Sequence, residues 1–171
     1  TPLLYGPYKD ISYSLLLPSA SIEVQTWGVN GTLQVVSAPS IRSASGLSTR
    51  YRGALPSQAA LYRDGDRIGT LLRSRDPDDQ GLRHRRWQTA AAPYVLIHPN
   101  TRIAVVGFDG GEEAARAAVV GSSSITIMDP DPALVSLIAD NPGIFVPWLF
   151  TQGQTKFVVD SARSHFSRHS T

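Results

Sequence analysis

Three apolar runs in the second half of the chain are each followed by glycines or by a carboxylate. Stretches with helical patterns separate the runs, and strands that alternate with helices predict a parallel sheet. Because parallel strands end at the same edge of a sheet, where its ligands bind, we expect the residues after the three runs to lie together. These residues are Gly107 to Gly111 after 102–106, Asp129 after 124–128, and Asp160 after 156–159.

The residue types at these positions favour a nucleoside ligand. Glycines in a turn that opens a helix let backbone N–H groups approach a ligand closely. Asp129 comes 18 positions after Gly111, and a carboxylate there can accept hydrogen bonds from both ribose hydroxyls. A carboxylate at Asp160 can reach an adenine amino group. We therefore predict that these groups bind a nucleoside: Gly107, Asp109, Gly110, Gly111, Asp129 and Asp160.

The glycine-rich turn departs from the usual nucleoside loop, which has glycine at its first, third and fifth positions. Here those positions are Gly107, Asp109 and Gly111. Asp109 therefore stands where the ligand would come closest. Its carboxylate would repel a ligand that carries a carboxylate, and it would suit a cationic side chain without one.

Each of these residues also has a purely structural interpretation. A glycine-rich turn after a strand is often only a turn. Asp129 begins an Asp-Pro-Asp-Pro stretch, which is typical of a helix start, and Asp160 precedes Ser161 and a predicted helix. Single residues of this kind more often cap helices. Their occurrence in order after three successive strands favours the nucleoside site.

The first half of the chain has a different pattern and predicts an amino-terminal β-rich subdomain over residues 1–80. Apolar runs surround Asn30-Gly31 between 20 and 38, and a second pair surrounds Asp64-Gly65 between 61 and 72. Both dipeptides are strong hairpin signals. Residues 81–171 then form the second domain. It opens with a predicted helix over 81–97, because apolar residues recur there at helical spacing.

Composition excludes several classes of function. The chain has 171 residues and a formal net charge of +2, too near balance to predict nucleic-acid binding. It contains no cysteine, so it has neither disulfides nor thiolate metal ligands, and no His or carboxylate stands at metal-ligand spacing from His84. We therefore predict no metal.

The cluster His84-Arg85-Arg86 is interpreted as a solvated helix face. No apolar run approaches membrane-spanning length, so we expect a cytoplasmic soluble domain.

At family level the sequence resembles the spermidine synthase-like proteins, the polyamine aminopropyltransferases, and among them a bacterial membrane-associated subgroup. The resemblance extends from about residue 6 to about residue 168. Each motif is moderately specific for the family, and the order of the motifs along the chain is more specific than any one of them. It is carried by Gly6 to Lys9, Gly31 to Val36, Leu61 to Asp66, Ala90 to Tyr94, Ile103 to Gly111 and Ile125 to Pro132.

The resemblance implies an α/β fold class. An N-terminal β-hairpin subdomain would be followed by a partial class I S-adenosylmethionine-dependent methyltransferase-like Rossmann domain. Gly107 to Gly111 would hold the sulfonium side of decarboxylated S-adenosylmethionine or S-adenosylmethionine, Asp129 the ribose, and Asp160, or Ser161 if the register shifts by one, the adenine. The family transfers an aminopropyl group to putrescine or a similar amine, and it is commonly oligomeric.

The sequence does not identify catalytic residues, and it does not show whether this chain is an enzyme. In the family, the carboxylate that acts on the amine ends the fourth strand, and we expect this chain to lack that strand. An alternative makes Asp160-Ser161 that catalytic strand end, but Ala162 to Ser164 continues like the helix after the third strand. The acidic residues expected near the amine are also replaced by the basic cluster at 84–86.

Three functions stay open. The first is a spermidine synthase-like transferase of polyamine biosynthesis whose catalytic part lies outside this chain. The second is a noncatalytic nucleoside-binding or scaffold domain, and the third is a small-molecule methyltransferase on the same fold. The expected partners are a nucleoside, a polyamine and a second copy of the chain, because the first parallel strand would have an open edge. The parent protein is expected to be membrane-anchored.

Overall fold

A computed structural model describes residues 5–73, 80–141 and 155–169 and shows a mixed α/β fold with two sheets. The antiparallel sheet contains β1 (Ser21–Gly28), β2 (Gly31–Ser37), β3 (Gln58–Arg63) and β4 (Asp66–Leu72), and the parallel sheet contains β5 (Arg102–Val106), β6 (Ser124–Asp129) and β7 (Thr155–Val159). The helices are α1 (Asp10–Leu15), α2 (Glu112–Val119), α3 (Pro132–Asp140) and α4 (Ala162–His169), with 3-10 segments at Gln80–Trp87, Thr89–Leu96 and Asp109–Gly111.

The antiparallel sheet has the order β1-β2-β3-β4, and both predicted hairpins are confirmed. Asp64 and Gly65 adopt positive φ angles of 49° and 83°, as a tight turn between β3 and β4 requires. Gly31 also has a positive φ, 114°, at the start of β2. β1 carries a bulge at Glu23, because Ile22 pairs with Val36 while Val24 pairs with the adjacent Val35.

The second sheet is parallel, as the alternation of strands and helices predicted, and its order is β5-β6-β7. Val105, Ile127 and Phe157 lie side by side in its register. Within the described part of the chain, β5 pairs only with β6, so its outer edge is open. Val106 at the end of this strand is 64% exposed.

One hydrophobic core joins the two sheets. It combines Leu33, Leu61 and Leu71 of the antiparallel sheet with residues of the parallel sheet and of α2 and α3, among them Ile127 and Leu137. The sequence boundary near residue 80 therefore separates the two sheets, but their apolar side chains are buried against each other. Burying such side chains contributes roughly 1.5–3 kcal/mol each, so the sheets stabilise one another.

Two elements differ from the sequence prediction. The segment 81–97 is not an α-helix but two 3-10 segments, and Pro93 lies inside the second of them. Proline has no N–H to donate, so it interrupts a helical hydrogen-bond ladder. Helix α1 was not predicted, since six residues are too few to show a repeating helical pattern. Its Ile11 is fully buried, and its N–H donates to the carbonyl of Gly65.

The interpretation of residues 84–86 as a solvated face is wrong for two of the three. His84 and Arg85 are each 1% exposed, and only Arg86 faces solvent. The guanidinium of Arg85 donates from Nη1 to the carbonyl of Glu112, which ties the first 3-10 segment to α2. Burial lowers the pKa of Arg85 to about 10.

Among the described residues, no helix is long and apolar enough to cross a membrane. The charged, Pro-containing stretch 74–80 predicts an exposed loop, and 141–155 shows no clear pattern; nearly all of both stretches falls outside the described residues.

Candidate functional site

The ends of the three parallel strands meet, as predicted, and backbone hydrogen bonds connect them. The N–H of Gly107 donates to the carbonyl of Met128 at 2.8 Å, and that of Asp160 to the carbonyl of Asp129 at 3.2 Å. The three predicted groups therefore occupy neighbouring positions on one edge of the sheet, where ligands of parallel sheets bind.

Most residues of the glycine-rich loop, Gly107 to Gly111, adopt a left-handed backbone conformation. Four of its five residues have positive φ angles: Gly107 at 81°, Asp109 at 40°, Gly110 at 83° and Gly111 at 79°. Glycine adopts this conformation without a steric penalty, whereas Asp109 is strained there by about 1–2 kcal/mol. Functional sites are a common place for such strain to be kept. α2 begins directly after the loop.

Asp129 holds the loop in place. Its side chain is buried, with Oδ2 accepting from the N–H of Phe108 at 3.0 Å and Oδ1 accepting from the N–H of Asp131 at 2.9 Å. It does not cap α3. Asp131 is the N-cap residue and accepts from the N–H of Ala133 at 3.0 Å. The capping interpretation of Asp129 is therefore wrong, and each of its oxygens keeps a second lone pair for a ligand hydroxyl.

Asp160 also differs from a simple helix cap. Its Oδ1 accepts from the N–H of Ser161 at 2.8 Å, and its Oδ2 is paired with Arg168 of α4. The Oγ of Ser161 accepts from the N–H of Ser164 at 3.2 Å, so Ser161 is the residue that caps α4. An adenine amino group at Asp160 would compete with Arg168 for the carboxylate.

The electrostatics of the edge favour a cation. The pKa of Asp109 lies above its usual value, first because of burial and second because of the charge of Asp129. Asp131 and Asp160 have basic partners, while no ion pair involves Asp109 or Asp129 within the described residues. Neither Asp109 nor Asp129 therefore has a directly bonded cation among the described residues, although the charge of Arg63 acts on the pKa of Asp109 in the opposite direction.

The glycine-rich loop also contacts β4 of the antiparallel sheet, and no sequence signal indicated this contact. A Cβ atom on Gly110 would lie 2.4 Å from the carbonyl oxygen of Thr70, and one on Gly69 would lie 2.7 Å from the carbonyl carbon of Asp109. Real Cβ atoms do not approach backbone so closely. Glycines on both sides therefore allow strand and loop to touch, and β4 forms one wall of the candidate site.

An ion pair beside the loop was also missed. The Nη2 of Arg63 at the end of β3 lies 2.7 Å from the Oδ2 of Asp131, whose side chain is 4% exposed. This pair fixes the start of α3 against the antiparallel sheet. The Asp-Pro-Asp-Pro stretch pointed to an important carboxylate here, but nothing local in the sequence identified its partner.

The described residues contain no group of histidine, aspartate and glutamate side chains that could hold a metal ion. What the edge offers instead is glycine backbone, two carboxylates without a bonded cation, and a third carboxylate on the adjacent strand. This set can hold a hydroxylated, positively charged molecule by hydrogen bonds and charge.

Comparisons with known proteins add no assignment. Neither the family models nor the curated proteins searched contain a match to this chain. The interpretation of the site therefore depends on its geometry and on the motifs that the sequence itself carries.

Proposed function

We propose that the chain binds a nucleoside with a cationic side chain at the carboxyl edge of its parallel sheet, as a spermidine synthase-like domain binds decarboxylated S-adenosylmethionine. The observation that carries the proposal is the pair Asp109 and Asp129. Burial and the Asp129 charge raise the pKa of Asp109, and a bound sulfonium or ammonium group would relieve this repulsion.

The arrangement of the fold supports the same proposal. A three-stranded parallel sheet with a glycine turn after its first strand and a carboxylate after its second is compatible with the class I S-adenosylmethionine-dependent Rossmann fold. Asp129 would accept the ribose hydroxyls, and Gly107 to Gly111 would lie along the sulfonium side. Asp160 would reach the adenine once its pair with Arg168 opens.

The reaction we propose for the parent protein is aminopropyl transfer to a polyamine acceptor. The acceptor nitrogen must lose a proton to attack, so a carboxylate must stand beside it. None of the carboxylates at this edge is assigned that role here: Asp131 and Asp160 are held in ion pairs, and Asp109 and Asp129 would face the nucleoside. In this proposal the chain supplies binding and orientation, and further chain supplies the base.

Two alternatives each have an observation in their favour. A scaffold that binds no nucleoside is favoured by the Asp160–Arg168 pair and by the close packing of β4 on the loop. A methyltransferase is favoured by the sheet arrangement alone. Methyltransferases use intact S-adenosylmethionine, and the carboxylate of that ligand would be repelled by Asp109.

Calorimetric titration with decarboxylated S-adenosylmethionine, methylthioadenosine and S-adenosylmethionine distinguishes these functions. We expect the decarboxylated form to bind most tightly, because it alone combines the sulfonium with an ammonium and lacks the carboxylate. Asp129→Ala should abolish binding. Asp140→Ala is the matched control, since Asp140 is an exposed carboxylate at the end of α3.

Asp129 also holds the loop, so a second variant separates binding from folding. Asp109→Asn leaves the loop bonds of Asp129 in place and should weaken the decarboxylated ligand about tenfold, while it should favour S-adenosylmethionine. If none of the three ligands binds the wild-type chain, the scaffold function replaces the proposal. Tighter binding of S-adenosylmethionine than of its decarboxylated form would favour the methyltransferase.

A further inference from the structure

A polar cavity of about 390 Å³ lies at one end of the antiparallel sheet, and the proposed nucleoside site does not include it. β1 and β3 begin at this end, while β2 and β4 finish there. The volume lies within the range of small-molecule sites, roughly 300–1,000 Å³. The polar residues that line the cavity are Ser19, Ser37, Arg42, Ser57, Gln58 and Arg73.

The bulge in β1 gives this end of the sheet its shape. β1 and β4 are the two outer strands, yet Glu23 at the bulge is paired with Arg73, which follows β4. A bulge redirects a side chain and increases the local twist, so it allows this pair to form across the end of the sheet. The hydrogen bond from Arg73 lowers the pKa of Glu23 below its usual value, with a smaller contribution from Ser37. Glu23 is therefore ionised and holds Arg73 at the cavity.

The remaining walls are fixed by hydrogen bonds to the backbone. The amide of Gln58 is buried, donating to the carbonyl of Ser43 at 2.8 Å and accepting from its N–H at 2.5 Å. The N–H of Arg73 donates to the carbonyl of Ser57 at 3.1 Å. The cavity is thus built from strand ends whose positions do not depend on a ligand.

Guanidinium donors remain available in this cavity. Arg73 lines the cavity with a partly exposed side chain, and the side-chain partner found for it in the described part of the chain is Glu23, which its Nη2 contacts. Arg42 is exposed, and the one bond found for it there joins its Nη1 to the carbonyl of Ile41 at 2.7 Å. The remaining guanidinium N–H groups of the exposed Arg42 can therefore donate to a bound anion.

We infer that this cavity binds the phosphate group of a small molecule. Two arginines line the cavity and Glu23, the carboxylate beside it, is paired with Arg73, so these three side chains together carry a net charge of +1. Arginine forks fit the oxygens of a phosphate, and the hydroxyls of Ser19 and Ser57 can donate to the same oxygens, while the hydroxyl of Ser37 bonds Glu23. Arg42 and Arg73 bind the anion, and Glu23 is a positioning residue for Arg73.

Titration of the full chain with inorganic phosphate, followed by calorimetry at low ionic strength, tests the inference. We expect saturable binding to one site. Arg42→Gln should weaken it about tenfold, because it removes a charged donor. Arg52→Gln should leave it unchanged, since Arg52 is an exposed arginine outside the cavity. These substitutions change exposed side chains, and thermal unfolding should confirm that both variants fold.

A third variant should change the affinity in the opposite direction. Glu23→Gln removes the competing negative charge but keeps an oxygen that can accept from Arg73, so phosphate should bind several-fold more tightly. Unchanged or weaker binding in Glu23→Gln would overturn the placement of the anion beside this carboxylate. The inference also fails if the wild type shows no saturation, if Arg52→Gln weakens binding as much as Arg42→Gln, or if acetate binds as tightly as phosphate.

Discussion

Packing of the glycine-rich loop on β4 makes a sharp prediction about Gly110. This residue has a φ of 83°, and a Cβ atom there would lie 2.4 Å from the carbonyl oxygen and 2.7 Å from the nitrogen of Thr70. Gly121, which follows α2, has nearly the same φ, 78°, but a Cβ atom there meets nothing within 4 Å. The two glycines therefore share the backbone cost of a substitution and differ in the contact.

The expected magnitudes follow from this difference. Gly121→Ala should lower the free energy of unfolding by about 1–2 kcal/mol, the cost of a left-handed conformation for an L-residue. Gly110→Ala carries the same cost and must also force the loop away from β4. Overpacking of this kind adds about 1–3 kcal/mol, so the total should be roughly 2–5 kcal/mol. The contacted atoms are backbone, which leaves no flexible side chain to move aside.

Urea unfolding of the two variants, followed by circular dichroism, measures the difference directly. Gly69→Ala probes the same contact from the strand, where Cβ would lie 2.7 Å from the carbonyl oxygen of Asp109 without a positive φ. It should destabilise the chain by about 1–3 kcal/mol. Equal losses in Gly110→Ala and Gly121→Ala would refute the close packing of loop and strand.

Three further changes test other features of the structure. Asp109→Asn should raise the free energy of unfolding by about 0.5 kcal/mol at neutral pH while it weakens binding of the decarboxylated ligand, and urea unfolding with calorimetry measures both. Arg116→Met should lower the free energy of unfolding in urea by about 2–4 kcal/mol, because Arg116 is 5% exposed and paired with two glutamates. Arg163 is exposed, so the control Arg163→Met should change that free energy by less than about 0.5 kcal/mol. If the chain forms a homodimer through the open edge of β5, Val106→Lys should convert it to a monomer in sedimentation velocity, and a monomeric wild type would refute that dimer.

The hairpins could be predicted because their signals are local. Asn30-Gly31 and Asp64-Gly65 determine the chain reversal within a few residues, and the apolar runs on each side give the pairing. The edge of the parallel sheet was predictable for a related reason. Once strands alternate with helices, the sheet places the ends of successive strands side by side, so Asp129 and Gly107 meet without any knowledge of tertiary contacts.

The contacts that close the site could not be predicted in this way. In the sequence, Gly69 is a single glycine within a predicted strand. Only the packing of the glycine-rich loop on β4 shows that it lies against the backbone of Asp109. The burial of Arg85 is a second example. A run of basic residues usually faces solvent, but the carbonyl of Glu112 in α2 accepts a hydrogen bond from this guanidinium, and Arg85 is buried. Tertiary packing decides both cases.

Asp109 connects the stability of the chain to its proposed function. Its pKa is raised in the folded state, so folding favours the protonated form. The stabilising effect is fully present below the unfolded pKa, near 3.9, and is lost as the pH rises through the folded pKa. The advantage of Asp109→Asn should therefore be small below about pH 4 and should grow toward neutral pH. Because asparagine also tolerates a positive φ, the variant isolates the charge from the backbone strain.

A chain that keeps a strained, repelled carboxylate beside Asp129 gives up stability at neutral pH, and a cationic ligand bound there would restore it. If the decarboxylated ligand raises the melting temperature of the wild type and of Asp109→Asn equally, the charge of Asp109 has no part in binding, and the choice of a cationic nucleoside fails with it.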